Sequence, residues 1–342
     1  MRPPDLFRGG RARALARSDR LRKNTPAYRI IAADPAMKAL LDEAQRLAPY
    51  PVPALITGES GSGKEVLARR MHHWSGRGAG PFVPVNSAAI QESLFESVVF
   101  GHARGSFTGA VRRSGGLIES ASGGTLFLDE IGEMGLSQQA KLLRFLDSGE
   151  YLPVGEGRPR RSDVRVVAAT NRDIAEDARR GSFRTDLYYR LASVVLRIPP
   201  LRERPGDILP LAREFLRRAE EDFGLGPFRL SGGAERLMES CSWPGNARQL
   251  CGEMTAAALR KGSGRIDVCD LSPRLAGSGV EYGQGPRTLD EKIMALEREE
   301  LLGALERARS NCTLAAGMLG LKRTTFLYRL RRHGIVLRER RE

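Results

Sequence analysis

Gly58-Glu59-Ser60-Gly61-Ser62-Gly63-Lys64 follows the apolar run Pro53-Ala54-Leu55-Ile56-Thr57 and leads into Val66-Leu67-Ala68-Arg69-Arg70, so the stretch reads strand, loop, helix. The glycines let successive backbone N–H groups turn inward, the start of the next helix adds partial positive charge, and Lys64 adds a full one. That arrangement cradles a polyphosphate and is the signature of a P-loop. Glu65 departs from the general pattern, which places a Ser or Thr hydroxyl there to help hold Mg²⁺.

Working outward, Gly123-Gly124-Thr125-Leu126-Phe127-Leu128-Asp129-Glu130 is an apolar strand ending in two acids. Two carboxylates at the end of a buried strand cost desolvation unless a cation compensates. With Lys64 upstream, Asp129 is the expected Mg²⁺ ligand and Glu130 the group that orients and deprotonates an attacking water. A plainer reading has the acids cap a following helix, Ser137 to Leu146. Val164-Arg165-Val166-Val167-Ala168-Ala169 ends in Thr170-Asn171, where the Asn171 amide is placed to sense a γ-phosphate.

The surrounding pattern alternates. Met37, Leu40, Leu41, Ala44 and Leu47 share one face of a helix predicted over Pro35 to Leu47. Leu55, Val83, Leu126 and Val166 lie in successive strand candidates, which predicts a three-layer α/β domain with a mainly parallel sheet and a nucleotide beyond the strands' carboxyl ends. After Pro199-Pro200-Leu201-Arg202-Glu203-Arg204 the pattern turns helical, from Ile208 to Phe223 and from Gly233 to Lys261, forming a lid. Residues 272–287 are rich in Gly and Pro and read as a linker. Thr288-Leu289-Asp290-Glu291 spells a capping box that opens a final all-α unit. There Ala315 to Leu321 and Lys322 to Leu330 read helix, tight turn, helix, with Phe326 and Leu330 inward and Arg323, Thr324, Thr325 and Arg329 offered to a major groove.

At 342 residues and 41% apolar content the chain fits about two ordinary globular domains. Charge is concentrated at the ends: residues 1–30 carry +7 and residues 321–342 carry +6, leaving +1 of the total +14 for the rest. Such clustering is the footprint of phosphate-backbone binding, although an N-terminal arm over residues 1–27 without periodicity also reads as a solvated tail. No run has the length of a membrane span and no h-region follows the Arg-rich start, so a cytoplasmic protein without membrane contact is expected. Cys241, Cys251, Cys269 and Cys312 lack paired spacing, which favours structural thiols over a zinc site or disulfides.

Between the P-loop and the Asp-Glu strand lies Gly105-Ser106-Phe107-Thr108-Gly109-Ala110, preceded by Phe100-Gly101-His102-Ala103-Arg104. Glycines on both sides let a loop stand away from its scaffold, and a lone Phe at such a tip has little core to fill. The segment resembles the loop by which sigma-54-dependent transcriptional activators, the bacterial enhancer-binding AAA+ ATPases, engage sigma-54 RNA polymerase; that family has Ala at the place of Ser106. Glu65 is also what that family carries. The resemblance runs from about Tyr28 to Asp270 and continues in a Fis-type helix-turn-helix. It implies an AAA+ α/β subdomain over 28–204, a helical lid over 205–271 and a DNA-binding domain over 288–342. It implies ATP and Mg²⁺, with Gly58 to Lys64 and Glu65 at the nucleotide, Asn171 as first sensor and Arg248 in Trp243-Pro244-Gly245-Asn246-Ala247-Arg248-Gln249-Leu250 as second sensor. Gln249 stands where the family has Glu, which puts a supporting contact in doubt. Asn86 corresponds to the amide that restrains the catalytic Glu. Arg184 and Arg190, six residues apart in Gly181 to Leu191, correspond to arginines that reach a neighbouring subunit's nucleotide, implying a homo-oligomer, a hexameric ring when active.

The function implied is an ATP-hydrolysing activator that binds double-stranded enhancer DNA and remodels the closed sigma-54 polymerase complex. The alternative is an AAA+ DNA-binding regulator that uses nucleotide for oligomerisation without contacting sigma-54. A remodeller of other substrates would leave the terminal helix-turn-helix unexplained. With only about 30 residues before the motor, no sensory domain is expected there, and control is expected from a partner, from expression level or from assembly, with a separate protein acting in trans as the preferred reading.

Overall fold

The computed structural model describes residues 30–107, 110–276, 297, 301, 303–305, 308, 311–321 and 323–332. The N-terminal arm over 1–27, residues 277–287 of the expected linker, the capping box at 288–291, Lys322, and Thr108 and Gly109 of the Phe-bearing loop lie outside them.

The helix Pro35–Leu47 forms as its pattern requires: Asp34 accepts the Ala36 N–H at 2.9 Å, Pro35 opens the first turn, and Met37, Leu40 and Ala44 are buried. The strands follow as β1 (Ala54–Thr57), β2 (Phe82–Asn86), β3 (Thr125–Asp129), β4 (Glu150–Tyr151), β5 (Arg160–Arg161), β6 (Arg165–Thr170) and β7 (Val195–Arg197). Five form one sheet in the order β2-β3-β6-β1-β7, every pairing parallel. Leu55, Leu126, Leu128 and Val166 point to one face, against Phe95, Ile118, Leu142 and Phe145. Ile56, Phe127 and Val167 point to the other, against Met37, Leu40, Leu67 and Met71. Both faces are therefore covered by helices, which is why these strands read as unbroken apolar runs.

The order places the P-loop at the end of β1, the Thr170-Asn171 step at the end of β6 and the acids at the end of β3 along one rim of the sheet. Three strand features have no counterpart in the sequence reading: β7, only three residues long, the β4–β5 hairpin, and a short parallel pair in the lid.

Three boundaries differ from expectation. The helix after the acids runs Leu136–Ser148, ended by Gly149 in the left-handed region, rather than Ser137 to Leu146. The helical stretch expected from Gly233 to Lys261 is two helices, Gly232–Ser240 and Asn246–Lys261. Pro244 has no N–H to donate, and Trp243 and Asn246 adopt φ of 49° and 51°, so the chain turns there and sinks the Trp243 ring into the lid core. The expected linker is helical at its start, Pro273–Ala276, with Leu275 buried among Met238, Trp243 and Met254. The lid also holds Ile208–Phe223 and a parallel pair, β8 (Phe228–Leu230) and β9 (Gly264–Ile266).

The described residues from 297 onward belong to a separate compact unit. Its core gathers Leu301, Ala304, Leu305, Ala315, Ala316, Phe326 and Leu330. Helices Cys312–Met318 and Arg323–Arg332 meet across a turn in which Gly320 takes φ of 65°, and Asn311 caps the first through the N–H groups of Thr313 and Leu314. Helix-turn-helix geometry follows from that turn.

Candidate nucleotide-binding site

The loop between β1 and the helix Lys64–Trp74 takes left-handed φ at Gly61 and Gly63. At Gly61 no other residue fits: besides the positive φ, a Cβ would strike the Gly245 carbonyl and the Arg248 side chain, so the lid lies directly on the loop. Lys64 is almost wholly buried; its Nζ donates to the Gly58 carbonyl at 3.0 Å and stands 3.6 Å from Glu130 Oε1.

Glu130 reaches that position because its backbone sits at φ 52°, a conformation that costs a non-glycine residue about 1–3 kcal/mol. Its other oxygen accepts the Asn171 N–H at 3.3 Å, and its own N–H donates to Asp129 Oδ1 at 3.1 Å. Lys64, Asp129, Glu130 and Asn171 thus converge from three strands. Burial, and then the neighbouring Glu130 charge, push the Asp129 carboxyl above the usual carboxylate range, partly offset by Lys64.

The lid closes the other side. Arg248 Nη1 donates to Ser60 Oγ at 3.0 Å and its backbone N–H to the Gly61 carbonyl at 3.3 Å. Gln249 Oε1 accepts the Gly245 N–H at 2.9 Å, a bond at the start of the same helix. Glu59 accepts two bonds from Arg202, at 2.9 and 2.6 Å, and one from Asn246 Nδ2 at 3.0 Å. The Arg202 guanidinium holds Glu59 below the ordinary carboxylate range. Asn246, fully buried, also accepts the Leu201 N–H and donates to the Ser60 carbonyl, so one side chain ties loop to lid. Glu65 turns to Arg69, at 2.6 Å.

Three of the predicted residues stand apart. Asn86 Oδ1 accepts the Ala88 N–H at 3.0 Å, a local cap rather than a bond to Glu130. Arg184 pairs with Asp186 at 2.7 Å, and Arg190 pairs with Asp147 at 3.2 Å while donating to the Leu146 carbonyl. Sequence reasoning missed Arg202 and Asn246 as site residues, although both lie inside quoted motifs; each acts through a partner more than 100 positions away.

The Phe-bearing loop is supported at its base. The Gly105 N–H donates to the Ala110 carbonyl at 2.8 Å, and Ala110 is buried. The Ser106 hydroxyl donates to the Ala103 carbonyl at 2.9 Å, and Ser106 rests against Gly155, where any side chain would collide. Phe107 is 41% exposed, its ring edge-on to His102 at 5.0 Å. In the C-terminal unit Arg323 and Thr324 are exposed and Thr325 half-buried, while Arg329 pairs with Glu297 at 2.9 Å.

Among the described residues no group of three or more His, Cys, Asp or Glu gathers around a metal position. Mg²⁺ nevertheless fits this donor set, because it binds through one or two carboxylates and completes its shell with water and phosphate oxygens. Glu65 contributes no hydroxyl and is engaged with Arg69, so of the rim carboxylates Asp129 is the one that would hold the ion.

The raised Asp129 pKa has a stability consequence. The folded state holds that proton more tightly than the unfolded one, so the group's contribution is neutral below its ordinary value near 3.8 and becomes a penalty as pH rises above it. Asp129→Asn is expected to raise the melting temperature of nucleotide-free protein at pH 7.5 by about 2 °C, the scale on which single-site effects move domains of this size. Calorimetric melts across pH check this: the difference should shrink toward acid.

A parallel α/β sheet with a P-loop, rim acids and a lid bonded to the loop defines a P-loop NTPase fold of the AAA+ type, here followed by a helix-turn-helix unit. Residues 30–197 match the sigma-54 interaction domain, residues 202–285 the AAA+ ATPase lid domain and residues 292–333 the Fis family of bacterial regulatory proteins. This chain belongs to the sigma-54-dependent transcriptional activators. It is 43% identical over 319 residues to the sigma54-dependent transcriptional activator SfnR of Pseudomonas putida, covering 87% of this chain and 86% of that one. It is 45% identical over 314 residues to the nitric oxide reductase transcription regulator NorR2 of Cupriavidus necator, covering 85% of this chain and 60% of the relative's length. The structure of NtrX from Brucella abortus in complex with ADP superposes with a TM-score of 0.73 at 29% identity, over 95% of this chain and 73% of NtrX, and the ATP complex with a TM-score of 0.72. No described helix is long and apolar enough to cross a membrane.

Proposed function

We propose that the protein hydrolyses ATP and uses the energy to remodel sigma-54 RNA polymerase bound at a promoter, acting from upstream double-stranded DNA. The observation that carries this reading is the pairing, on one α/β frame, of the Lys64–Glu130 cleft with an exposed Phe107 held on a braced loop. Gly58 to Lys64 and Arg248 bind the phosphates, Lys64 carrying the charge. Asp129 holds Mg²⁺, which when bound supplies neutralisation of phosphate charge. Glu130 orients a water and takes its proton, and Asn171, at the same rim, reports the γ-phosphate.

Among the described residues the side chains of Arg184 and Arg190 engage exposed acids and one carbonyl of their own chain, partners they can exchange for a neighbouring subunit's nucleotide, and the working unit is then a homo-oligomeric ring. An arginine delivered in this way is worth about 10³ to 10⁵ in rate. Asn86 restrains Glu130 only if its cap to Ala88 opens. Gly105 to Ala110 contact sigma-54. Arg323, Thr324 and Thr325 read DNA, joined by Arg329 once it leaves Glu297. Control by a separate protein in trans, and a cytoplasmic location, complete the proposal.

Phosphate release measured against protein concentration tests the assembly. Turnover per subunit is expected to rise several-fold as subunits associate and to stay flat in Arg184→Ala; concentration-independent turnover in the unaltered protein would remove the trans-acting arginines.

A further inference from the structure

Beside the P-loop lies a buried charged network that the catalytic reading does not use. Arg204 is 3% exposed and Asp207 is fully buried. Arg204 Nη2 donates to the Ser62 carbonyl at 2.8 Å, while Nη1 lies 3.3 Å from Met37 Sδ and 3.6 Å from Asp207 Oδ2. Asp207 Oδ1 accepts the N–H groups of Ala33 and Asp34 at 2.6 and 2.8 Å, and Asp34 Oδ2 accepts the Gly206 N–H at 3.3 Å. The lead-in at residues 33–34, which bonds to Asp207, and the P-loop at Ser62, which bonds to Arg204, are therefore joined through the Arg204–Asp207 pair at the start of the lid.

Packing does not account for this pair. Taking both ions out of water is costly, and apolar residues of similar volume fill such space without that cost. The bonds are also incomplete: among the described residues Arg204 Nε and Asp207 Oδ2 have no hydrogen-bond partner. What Arg204 does hold is a P-loop peptide. In a trans peptide the carbonyl and the following N–H point in opposite directions, so fixing the Ser62 carbonyl fixes the direction of the Gly63 N–H. Gly63, with φ of 107° and open space where a Cβ would be, has no steric hold of its own.

We propose that Arg204 is a positioning residue for the nucleotide, keeping the Ser62–Gly63 peptide oriented for phosphate binding, and that Asp207, anchored to Ala33 and Asp34, sets where Arg204 stands. The proposal rests on the reading of this loop as the nucleotide cradle. A displacement of the chain before Asp34, or of the lid, is then felt at Gly63 by way of Asp207 and Arg204, which gives a regulator a route to the nucleotide that touches none of it.

The full chain with Arg204→Lys or Asp207→Asn tests this. Lysine keeps the charge but lacks the fork that reaches Ser62, Met37 and Asp207 together. Asparagine keeps an oxygen for the two N–H groups, but replaces the charged oxygen facing Arg204 with an amide NH2, so the pair's attraction is lost and two donors face each other. The Kd for fluorescently labelled ADP is expected to rise about tenfold in Arg204→Lys and about threefold in Asp207→Asn, the range of one weakened charge-assisted hydrogen bond, with KM for ATP following and kcat per active site within about twofold. A purely structural pair would lower the melting temperature and the active fraction while folded molecules kept their ADP affinity. Unchanged affinity in folded Asp207→Asn protein overturns the proposal, and that variant decides alone if Arg204→Lys does not fold. Unaltered protein that neither binds ADP nor hydrolyses ATP overturns the cradle reading itself, and is told apart because it fails before any substitution is made.

Discussion

Phe107→Ala is expected to leave ATP hydrolysis within about twofold of the unaltered protein and to lower open-complex formation at a sigma-54 promoter by about a hundredfold or more. The ring contributes nothing to the α/β core: it is 41% exposed and touches His102 edge-on, so its loss costs the fold little. At an interface the same ring is the kind of aromatic anchor whose truncation removes 2 kcal/mol or more, about thirtyfold in binding before any loss of coupling. Hydrolysis and open-complex yield must be measured on the same preparation, and equal transcription from the variant would detach Phe107 from the mechanism. Ser106→Ala is a milder companion. Its hydroxyl is spent on the Ala103 carbonyl inside the loop, so it braces the base rather than reaching outward.

The second large effect belongs to Glu130. Glu130→Gln keeps the side-chain volume and an oxygen for the Asn171 N–H, but removes the proposed base and the anion facing Lys64. Turnover is expected to fall by about 10³, the usual contribution of a positioned general base, while ATP binding stays within about threefold or tightens. Binding must be measured apart from phosphate release, since loss of both would mean that the substitution had unmade the cleft. The left-handed backbone at position 130 should tolerate Gln as it does Glu, so melting temperatures are expected to agree.

What could be read in the chain, and what could not, divides along sequence distance. Gly61 and Lys64 announce themselves because a backbone that wraps phosphate needs glycine at fixed offsets and a cation at the helix start. Asp129 and Glu130 stand out because two acids end an apolar run. Phe326 and Leu330 show their burial by helical spacing alone. By contrast Asn246 is an ordinary turn residue in sequence; only the folded chain brings it to Glu59, 187 positions away. Arg202 and Arg204 read as a charged segment boundary, yet one grips Glu59 and the other is buried against Ser62. The run from Gly233 to Lys261 looked continuous because Trp243 is apolar at helical spacing, and periodicity does not register that Pro244 breaks the backbone ladder. β7 escaped because three residues on a sheet edge carry too little pattern to separate from the helix before them.

Under the proposed function, energy from the Lys64–Glu130 cleft reaches sigma-54 through the Phe107 loop. That transfer is tested most directly by a photo-crosslinking residue placed at position 107, in protein supplied with purified sigma-54 polymerase, Mg²⁺ and either no nucleotide, ADP, or ADP with a phosphate transition-state mimic. A crosslink to sigma-54 is expected that is strong with the mimic and weak with ADP or without nucleotide. A crosslink confined to the protein's own subunit under all three conditions would contradict the proposal.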